Sequence, residues 1–520
     1  MIIFPPLALA QHFPEPARGD AAVAERYVIW ARNLIEQGLY NEALAGLERA
    51  LDFADVSSDI SYLLALSRHR HNRPRETVLH ALNLALGTDR WVFYRPDDAR
   101  LLRAEVLINL RAYSEAIHEL ARVSRSPEEA TLTLRALAAI WPMQFHSNLR
   151  DALDRYPRDP RPVRVFFNFL QRQADAGFYP SRDDLELLDL IIRRLPALLP
   201  YDPELAWMAA PFFWDLDDAR RLITAYRALH TPNPASIPVT LRFGVIDEER
   251  AIEELFGLNP AIRAGQGQKI SRDISLFAEI WDLLSREETK EMFRRNLSTF
   301  TGFITEDINR DGIPEIIAEY SGGMLTRAIY DLTQTGIPDL TIFFEGGDPR
   351  WARAFIAPDF SRQEAIIRWE RYPSVFYVEA GGVRFIPRPF EFFYSPVFFT
   401  ELWGSGLLFP QLDTLNPPLT QRVIVSHSIR IERPSLEFSG GIEVIELHQS
   451  IPIRAREFVG ELMVSETEFF RGRPQLQRVD LNFDGRMETI RYFSQSHRIR
   501  EIEDLWDYDR DFDFVIIVDD

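Results

Sequence analysis

At 520 residues the chain exceeds one ordinary hydrophobic core, so two to four domains are expected. Hydrophobic residues at 46% and aromatics at 12% exclude a disordered chain, and a net charge of −19 excludes the basic footprint of a nucleic-acid surface while suiting cation binding. Cysteine is absent, which removes disulfides, thiol catalysis, cysteine-bound metals and lipidation on cysteine.

The chain opens on an apolar stretch, MIIFPPLALA, whose end Ala8-Leu9-Ala10 precedes Gln11. A small-x-small ending is the form of a secretory cleavage site, so residues 1–10 read as the remnant of a signal. The expected location is periplasmic or secreted. No basic segment precedes the apolar run, so the true start is expected upstream of Met1. No later stretch offers the ~20 uninterrupted apolar residues of a membrane-spanning helix, so any cell-envelope association is expected without one.

Residues 20–160 carry a repeated helical pattern. Tyr27, Ala31, Leu34, Gly38, Tyr40, Ala43, Leu47 and Ala50 set small residues where two antiparallel helices approach, with a glycine at the turn between them. Ala104, Leu107, Tyr113, Ala116 and Leu120 repeat the spelling, with Arg111 in place of the turn glycine. A degenerate copy between them has Tyr62, Ala65 and Ala81, with Asn72 and Pro74 at the turn, and a fourth includes Ala136, Ala152 and Tyr156. Over about residues 22–123 this resembles the tetratricopeptide repeat, a helix–turn–helix unit of 34 residues. The resemblance implies an α-solenoid whose concave face binds a protein or peptide partner; a mere spacer is the bland alternative.

Residues 161–295 continue in helical patterns without repeat spelling and are expected to form divergent helical hairpins. Helices are expected over 184–195, ending near Pro196, from Asp202 onward, and over 217–229, 248–256 and 274–293, with a break at Pro232, Pro234 and Pro238.

From residue 296 to 520 β-branched and aromatic runs alternate with glycine, proline and aspartate. Strands are expected at 316–320, 325–330, 340–344, 364–369, 375–378, 383–386, 422–431, 441–448, 458–464, 477–479 and 489–493. The aromatic runs 390–394 and 397–399 are expected in the core of a large antiparallel sheet. The fold class is therefore multidomain α plus β: an N-terminal α-solenoid, then a strand-rich antiparallel β-meander.

Three loops and one decayed relic punctuate this half. Asp307, Asn309, Asp311, Gly312 and Glu315 fall at positions 1, 3, 5, 6 and 9 of the first; Asp480, Asn482, Asp484, Gly485 and Glu488 repeat the spelling in the last. Acceptors at every second residue can wrap a hard cation that takes six to eight oxygens, and the glycine lets the chain turn back past it. Asp331, Thr333, Thr335, Gly336 and Asp339 form a weaker copy, and residues 507–513 a decayed one with Phe512 in place of the glycine. The pattern resembles the calcium loop of integrin-type FG-GAP and VCBS repeats. By that resemblance the ligands are Asp307, Asn309, Asp311, the carbonyl of Ile313 and Glu315, and Asp480, Asn482, Asp484, the carbonyl of Arg486 and Glu488. An EF-hand fits less well, because position 12 holds Ala318, Ile342 or Arg491 instead of glutamate. The competing reading is a metal-free turn, since Asp, Asn and Thr side chains cap local backbone N–H groups.

No catalytic signature is found. Gly404-Ser405-Gly406 lacks the spacing of a nucleophile elbow, and zinc-protease and phosphate-loop motifs are absent. His69 and His71 do not share a helix face. The expected function is an extracytoplasmic protein-interaction scaffold, not an enzyme, with a β domain braced by structural Ca2+ and a role in envelope-associated assembly. The alternatives are an enzyme acting on glycans or peptidoglycan, with a site in the β domain, and a calcium-dependent adhesin.

Overall fold

The computed structural model describes residues 21–51, 57–71, 73–230, 233–257, 270–309, 312–356, 363–416, 418–494, 497–503 and 514–517. The signal remnant at 1–10, Asp311 and the acidic stretch 507–513 lie outside the described residues. The chain divides into two compact units. One comprises Met1–Leu255 with the short segments Asp307–Ile313 and Thr333–Ile337; the other comprises Phe256–Glu306, Pro314–Leu332 and Pro338–Asp520.

The first unit is built of helical hairpins: α1 (Ala21–Glu36) with α2 (Tyr40–Ala50), α3 (Ser58–Arg70) with α4 (Arg75–Thr88), α5 (Pro96–Asn109) with α6 (Tyr113–Leu120), α7 (Pro127–Ile140) with α8 (Pro142–Arg155), and α9 (Arg161–Asp175) with α10 (Arg182–Leu198). Each hairpin packs on the next. The alanines that define the repeat are at the contacts: Ala31, Ala43, Ala50, Ala65, Ala104 and Ala116 have no exposure and Ala81 has 2%. The turns also repeat. Gly38, at φ +77°, donates to the Ile35 carbonyl, and Leu39 donates to that of Leu34. Arg111, at φ +60°, and Ala112 make the same pair of bonds to Ile108 and Leu107. This is the Schellman closure of a helix C-terminus, which calls for a left-handed residue. Arg111 therefore accepts the conformation that glycine adopts freely two repeats earlier.

After α10 the helices shorten: α11 (Leu205–Ala209), α12 (Leu216–Leu229), α13 (Ile237–Arg242) and α14 (Glu248–Leu255). Two proline expectations are corrected. Pro196 lies inside α10, and Pro238 sits in the first turn of α13, where an amide hydrogen is not needed.

The second unit begins with β1 (Ile270–Asp273), which the sequence pattern did not suggest, then α15 (Ile274–Leu283) and α16 (Glu287–Ser298). The single helix expected over 274–293 is thus two. β1 pairs in parallel with β2 (Gly302–Glu306). From β2 the sheet is a sequential antiparallel meander through β3 (Ile316–Ser321), β4 (Met324–Tyr330), β5 (Leu340–Glu345), β6 (Asp348–Phe355), β7 (Glu364–Arg371), β8 (Ser374–Ala380) and β9 (Val383–Pro387). The separate hairpin β10 (Val397–Glu401) and β11 (Leu408–Leu412) and the helix α17 (Gln421–His427) intervene. The meander resumes when β12 (Ser428–Pro434) pairs with β9, and runs through β13 (Ile442–His448), β14 (Ile451–Val459), β15 (Leu462–Phe470), β16 (Arg473–Val479), β17 (Thr489–Ser494) and β18 (His497–Glu503) to β19 (Phe514–Ile517).

The sequence expectations at 422–431 and 458–464 are corrected. The first is mostly α17, started by Thr420, whose hydroxyl accepts the Val423 N–H at 3.1 Å. The second is split at Gly460 (φ +63°) into β14 and β15. The aromatic run is also corrected: Tyr394 and Val397 are buried, but Phe390, Phe392 and Phe398 are 71%, 60% and 52% exposed.

Along β7 burial alternates, with Ala365, Ile367 and Trp369 inside. On β3 and β4 the fully buried Tyr320 and Tyr330 donate their hydroxyls to the carbonyls of Leu408 and Pro410 on β11, so the β10–β11 hairpin lies over the apolar face. In an antiparallel meander successive connections alternate between the two edges. Two-residue turns with both central φ positive join β3–β4, β5–β6, β13–β14 and β15–β16 at one edge. The three aspartate loops join β2–β3, β4–β5 and β16–β17, and all emerge at the other.

Candidate metal centre

The loop at 480–488 leaves β16 and enters β17. Its first residue, Asp480, has no solvent exposure, and its N–H donates to the Val464 carbonyl at 2.8 Å, which pins the loop to β15. The Asp480 carboxylate accepts the N–H of Asp484 on Oδ1 at 3.2 Å and of Gly485 on Oδ2 at 2.8 Å. Asn482 Oδ1 accepts the Asp484 N–H at 2.9 Å, and Asp484 Oδ1 accepts that of Arg486 at 2.9 Å. Each side chain at an odd position thus curls the backbone inward. Phe483 and Gly485 take φ of +61° and +90°.

Glu488 closes the loop. It is 2% exposed, and its Oε1 accepts the N–H groups of Leu481 at 2.7 Å and Asn482 at 3.1 Å. Its other oxygen, Oε2, is buried and has no hydrogen-bond partner. Ligand atoms of Asp480, Asp484 and Glu488 lie within 4.8 Å of one another. A turn held only by side-chain caps accounts for every bond listed above except that orphan oxygen. Two buried carboxylates beside a third, one with an unmatched oxygen, is a costly arrangement without a counter-charge. Oxygen ligands of this kind fit a hard divalent cation, and calcium tolerates the irregular geometry that a short loop offers.

The loop at 307–315 repeats the scaffold. Asp307 Oδ2 accepts the Gly312 N–H at 2.7 Å, the counterpart of the Asp480–Gly485 bond, and Gly312 has the same φ of +90° as Gly485. Glu315 is 2% exposed, its N–H donates to the Glu306 carbonyl at 3.0 Å, and its own carbonyl accepts from Asp331 at 2.9 Å. The Ile313 carbonyl accepts from Gln334 Nε2 at 3.0 Å. Asn309 sits on the same loop, at position 3. The carboxyl of the preceding Glu306 is pushed up by burial, against a hydrogen bond from Gln411, with Asp273 and Glu315 adding to the rise.

The middle loop keeps the backbone and, of the ligand positions, only the terminal carboxylates of Asp331 and Asp339. Gln334 and Gly336 have φ of +50° and +79°, and the Asp339 N–H donates to Tyr330 at 2.7 Å as Glu315 does to Glu306. At position 5 Thr335 accepts the Ile337 N–H on its hydroxyl at 3.3 Å, the capping role that Asp484 performs with a carboxylate.

A different cluster escaped the sequence reading. Phe343, Trp351 and Arg368 are cross-strand neighbours on β5, β6 and β7 and line a groove. Strand β6 was not expected, so the three could not be aligned; the Gly346-Gly347 turn followed by alternating Trp351-Ala352-Arg353-Ala354 was the available signal.

No protein-family profile matches the chain. An uncharacterized protein of Treponema pallidum (strain Nichols) is 23% identical over 598 residues, spanning 93% of this chain and 74% of the relative. Among solved structures, the PilF protein of Pseudomonas aeruginosa is similar at a TM-score of 0.30 and 14% identity, covering 46% of this chain and 93% of PilF. A tetratricopeptide repeat protein from Parabacteroides merdae gives 0.34 and 12%, covering 53% and 99%. At those scores neither likeness bears on function. The tetratricopeptide-like character of the helical part rests on its own turns and buried alanines.

Proposed function

We propose that the chain is a protein-interaction scaffold whose β-sheet is braced by calcium. The observation that carries the calcium half is the buried, unpartnered Glu488 Oε2 beside the fully buried Asp480. Asp480, Asp484 and Glu488 would hold the ion, with Asn482 and the Arg486 carbonyl completing the set; Asp307, Asn309, Asp311, the Ile313 carbonyl and Glu315 would form a second site. The bound ion supplies positive charge and nothing chemical. It neutralises carboxylates that already hold the loop backbone, and so ties β16 to β17 and β2 to β3.

The scaffold half is supported by the repetition of one hairpin with one turn geometry. Such stacks expose an extended concave surface suited to a peptide or protein. An extracytoplasmic location belongs to the same proposal. It is motivated by the small-x-small ending of residues 1–10.

Thermal melts of the full chain in calcium and in chelator test the brace. At about 100-fold its dissociation constant calcium adds ~2.7 kcal/mol, a rise of roughly 5–10 °C for a unit of this size. Glu488→Gln is expected to remove most of that rise. A wild type whose Tm ignores calcium would contradict the brace. Cross-linking and affinity capture with the full chain test the scaffold, and the expected result is one reproducible protein partner that is lost when exposed charges on α1, α3 and α5 are reversed.

A further inference from the structure

At the edge of the sheet that carries the β5–β6 turn, β5 to β8 enclose a groove of about 510 Å³. That is within the usual size of small-ligand sites. Its wall includes a half-buried aromatic pair: Phe343 and Trp351 stack with ring centroids 3.8 Å apart and planes 9° from parallel, and the Arg353 guanidinium lies 5.8 Å from the Trp351 ring centroid. Phe376 stands beside them with 56% exposure, and the buried Trp369 backs the groove.

Two arginines line it, in different states. Arg350 is committed: its Nε donates to Glu345 at 2.9 Å and a terminal nitrogen donates to the Glu370 carbonyl at 3.2 Å. Arg368 is the cross-strand partner of Trp351, is exposed, and makes no hydrogen bond or ion pair among the described residues. Its charge reaches Glu345, whose carboxyl is held down first by the bond from Arg350.

The groove therefore offers an aromatic wall whose exposed ring is Phe376, one guanidinium fork with its donors available, and one carboxylate nearby. An exposed aromatic ring takes a flat, weakly polar face, and an available fork takes a carboxylate in two parallel hydrogen bonds. Glu345 opposes a highly charged group such as a di- or triphosphate. We propose that this groove binds a carboxylate-bearing oligosaccharide, with a pyranose ring laid against Phe376 beside the Phe343–Trp351 pair and its carboxylate on Arg368. The site is separate from the aspartate loops, and its test is independent of calcium.

Calorimetric titration of the full chain with a panel of acidic oligosaccharides (oligogalacturonate, a hyaluronan tetrasaccharide, a muramic-acid disaccharide) against maltohexaose and hexaglutamate decides it. At least one acidic saccharide should bind, at least about tenfold tighter than maltohexaose. Arg368→Gln and Phe376→Ala are both surface changes that leave the core intact, and each should weaken it by about tenfold with Tm unchanged. Three outcomes overturn the proposal: no binding by any acidic saccharide, binding that neither variant alters, or preference for hexaglutamate, which would make the groove a peptide site.

Discussion

A single carboxylate fixes the entry to the third helical hairpin. Asp59 is 1% exposed, and its oxygens accept the consecutive N–H groups of Val92 at 2.8 Å, Phe93 at 3.3 Å and Tyr94 at 3.0 Å. Asp59→Ala would strand three backbone donors, so a loss of about 3 kcal/mol is expected from the denaturation midpoint; a loss under ~0.5 kcal/mol would show that water replaces the carboxylate. Gly38→Ala isolates backbone strain. A Cβ there meets nothing within 4 Å, so the expected cost of about 1 kcal/mol is the left-handed conformation alone. A third residue sets a pH dependence. Glu457 is 7% exposed, and burial pushes its carboxyl up, opposed by a hydrogen bond from Ser435, with Glu443 and Glu437 adding to the rise. A raised folded-state value means that the fold favours the neutral acid. Its contribution is complete below the ordinary glutamate range and is lost as pH rises through the folded value. Glu457→Gln should therefore raise Tm at pH 7.5 and leave it unchanged near pH 4; an equal effect at both would exclude the carboxyl as the cause. At this scale the sequence was legible where side-chain type and spacing carry the geometry, as in Asp480 to Glu488. It was silent on Asp59 and Glu457, whose partners lie tens of residues away.

At the scale of elements, the helical hairpins were legible because buried alanines recur at fixed spacing and the turn needs a left-handed residue. Arg111 shows that the turn persists without glycine. Strands were legible where apolar alternation is uninterrupted, as in β3, β4 and β7. They were misread where local chemistry outweighs propensity. A β-branched run became α17 because Thr420 caps it, and Gly460 turned one expected strand into a hairpin. β6 was missed because it opens on Asp348-Pro349, which reads as a turn, and the groove of Phe343, Trp351 and Arg368 was missed with it. The aromatic run was half right: Tyr394 and Val397 are core, but Phe390 takes φ +63° in a turn that exposes its ring. Two tyrosine hydroxyls hold β11 over the sheet, and that of Tyr372 accepts from the Val397 N–H on β10. Tyr320→Phe with Tyr330→Phe should leave the Leu408 and Pro410 carbonyls without those donors and cost ~2 kcal/mol. Hydrogen exchange of β11 amides should speed up while β13 to β16 are unaffected; uniform acceleration would mean that the hairpin is integral to the whole sheet.

For the whole molecule, acidity and the aspartate loops belong together. The chain carries −19 charges, and its most deeply buried acids include Asp480, Glu315 and Glu488. Because the meander alternates its edges, the loops after β2, β4 and β16 share one edge, together with the two-residue turns β8–β9 and β14–β15. Calcium there would hold the ends of strands joined by the longer loops, and the middle loop keeps the same backbone with Thr335 at its fifth position. Position along the chain gave the spacing of these loops, but only the folded burial of Glu488 Oε2 separates a metal site from a well-capped turn. Calorimetric titration of calcium into the chelator-treated full chain, with Glu488→Gln alongside, addresses this most directly. The account predicts one to two calcium ions bound per chain at up to about millimolar affinity, with one site lost in Glu488→Gln. Absence of calcium binding by the wild type, or unchanged stoichiometry in the variant, would contradict it.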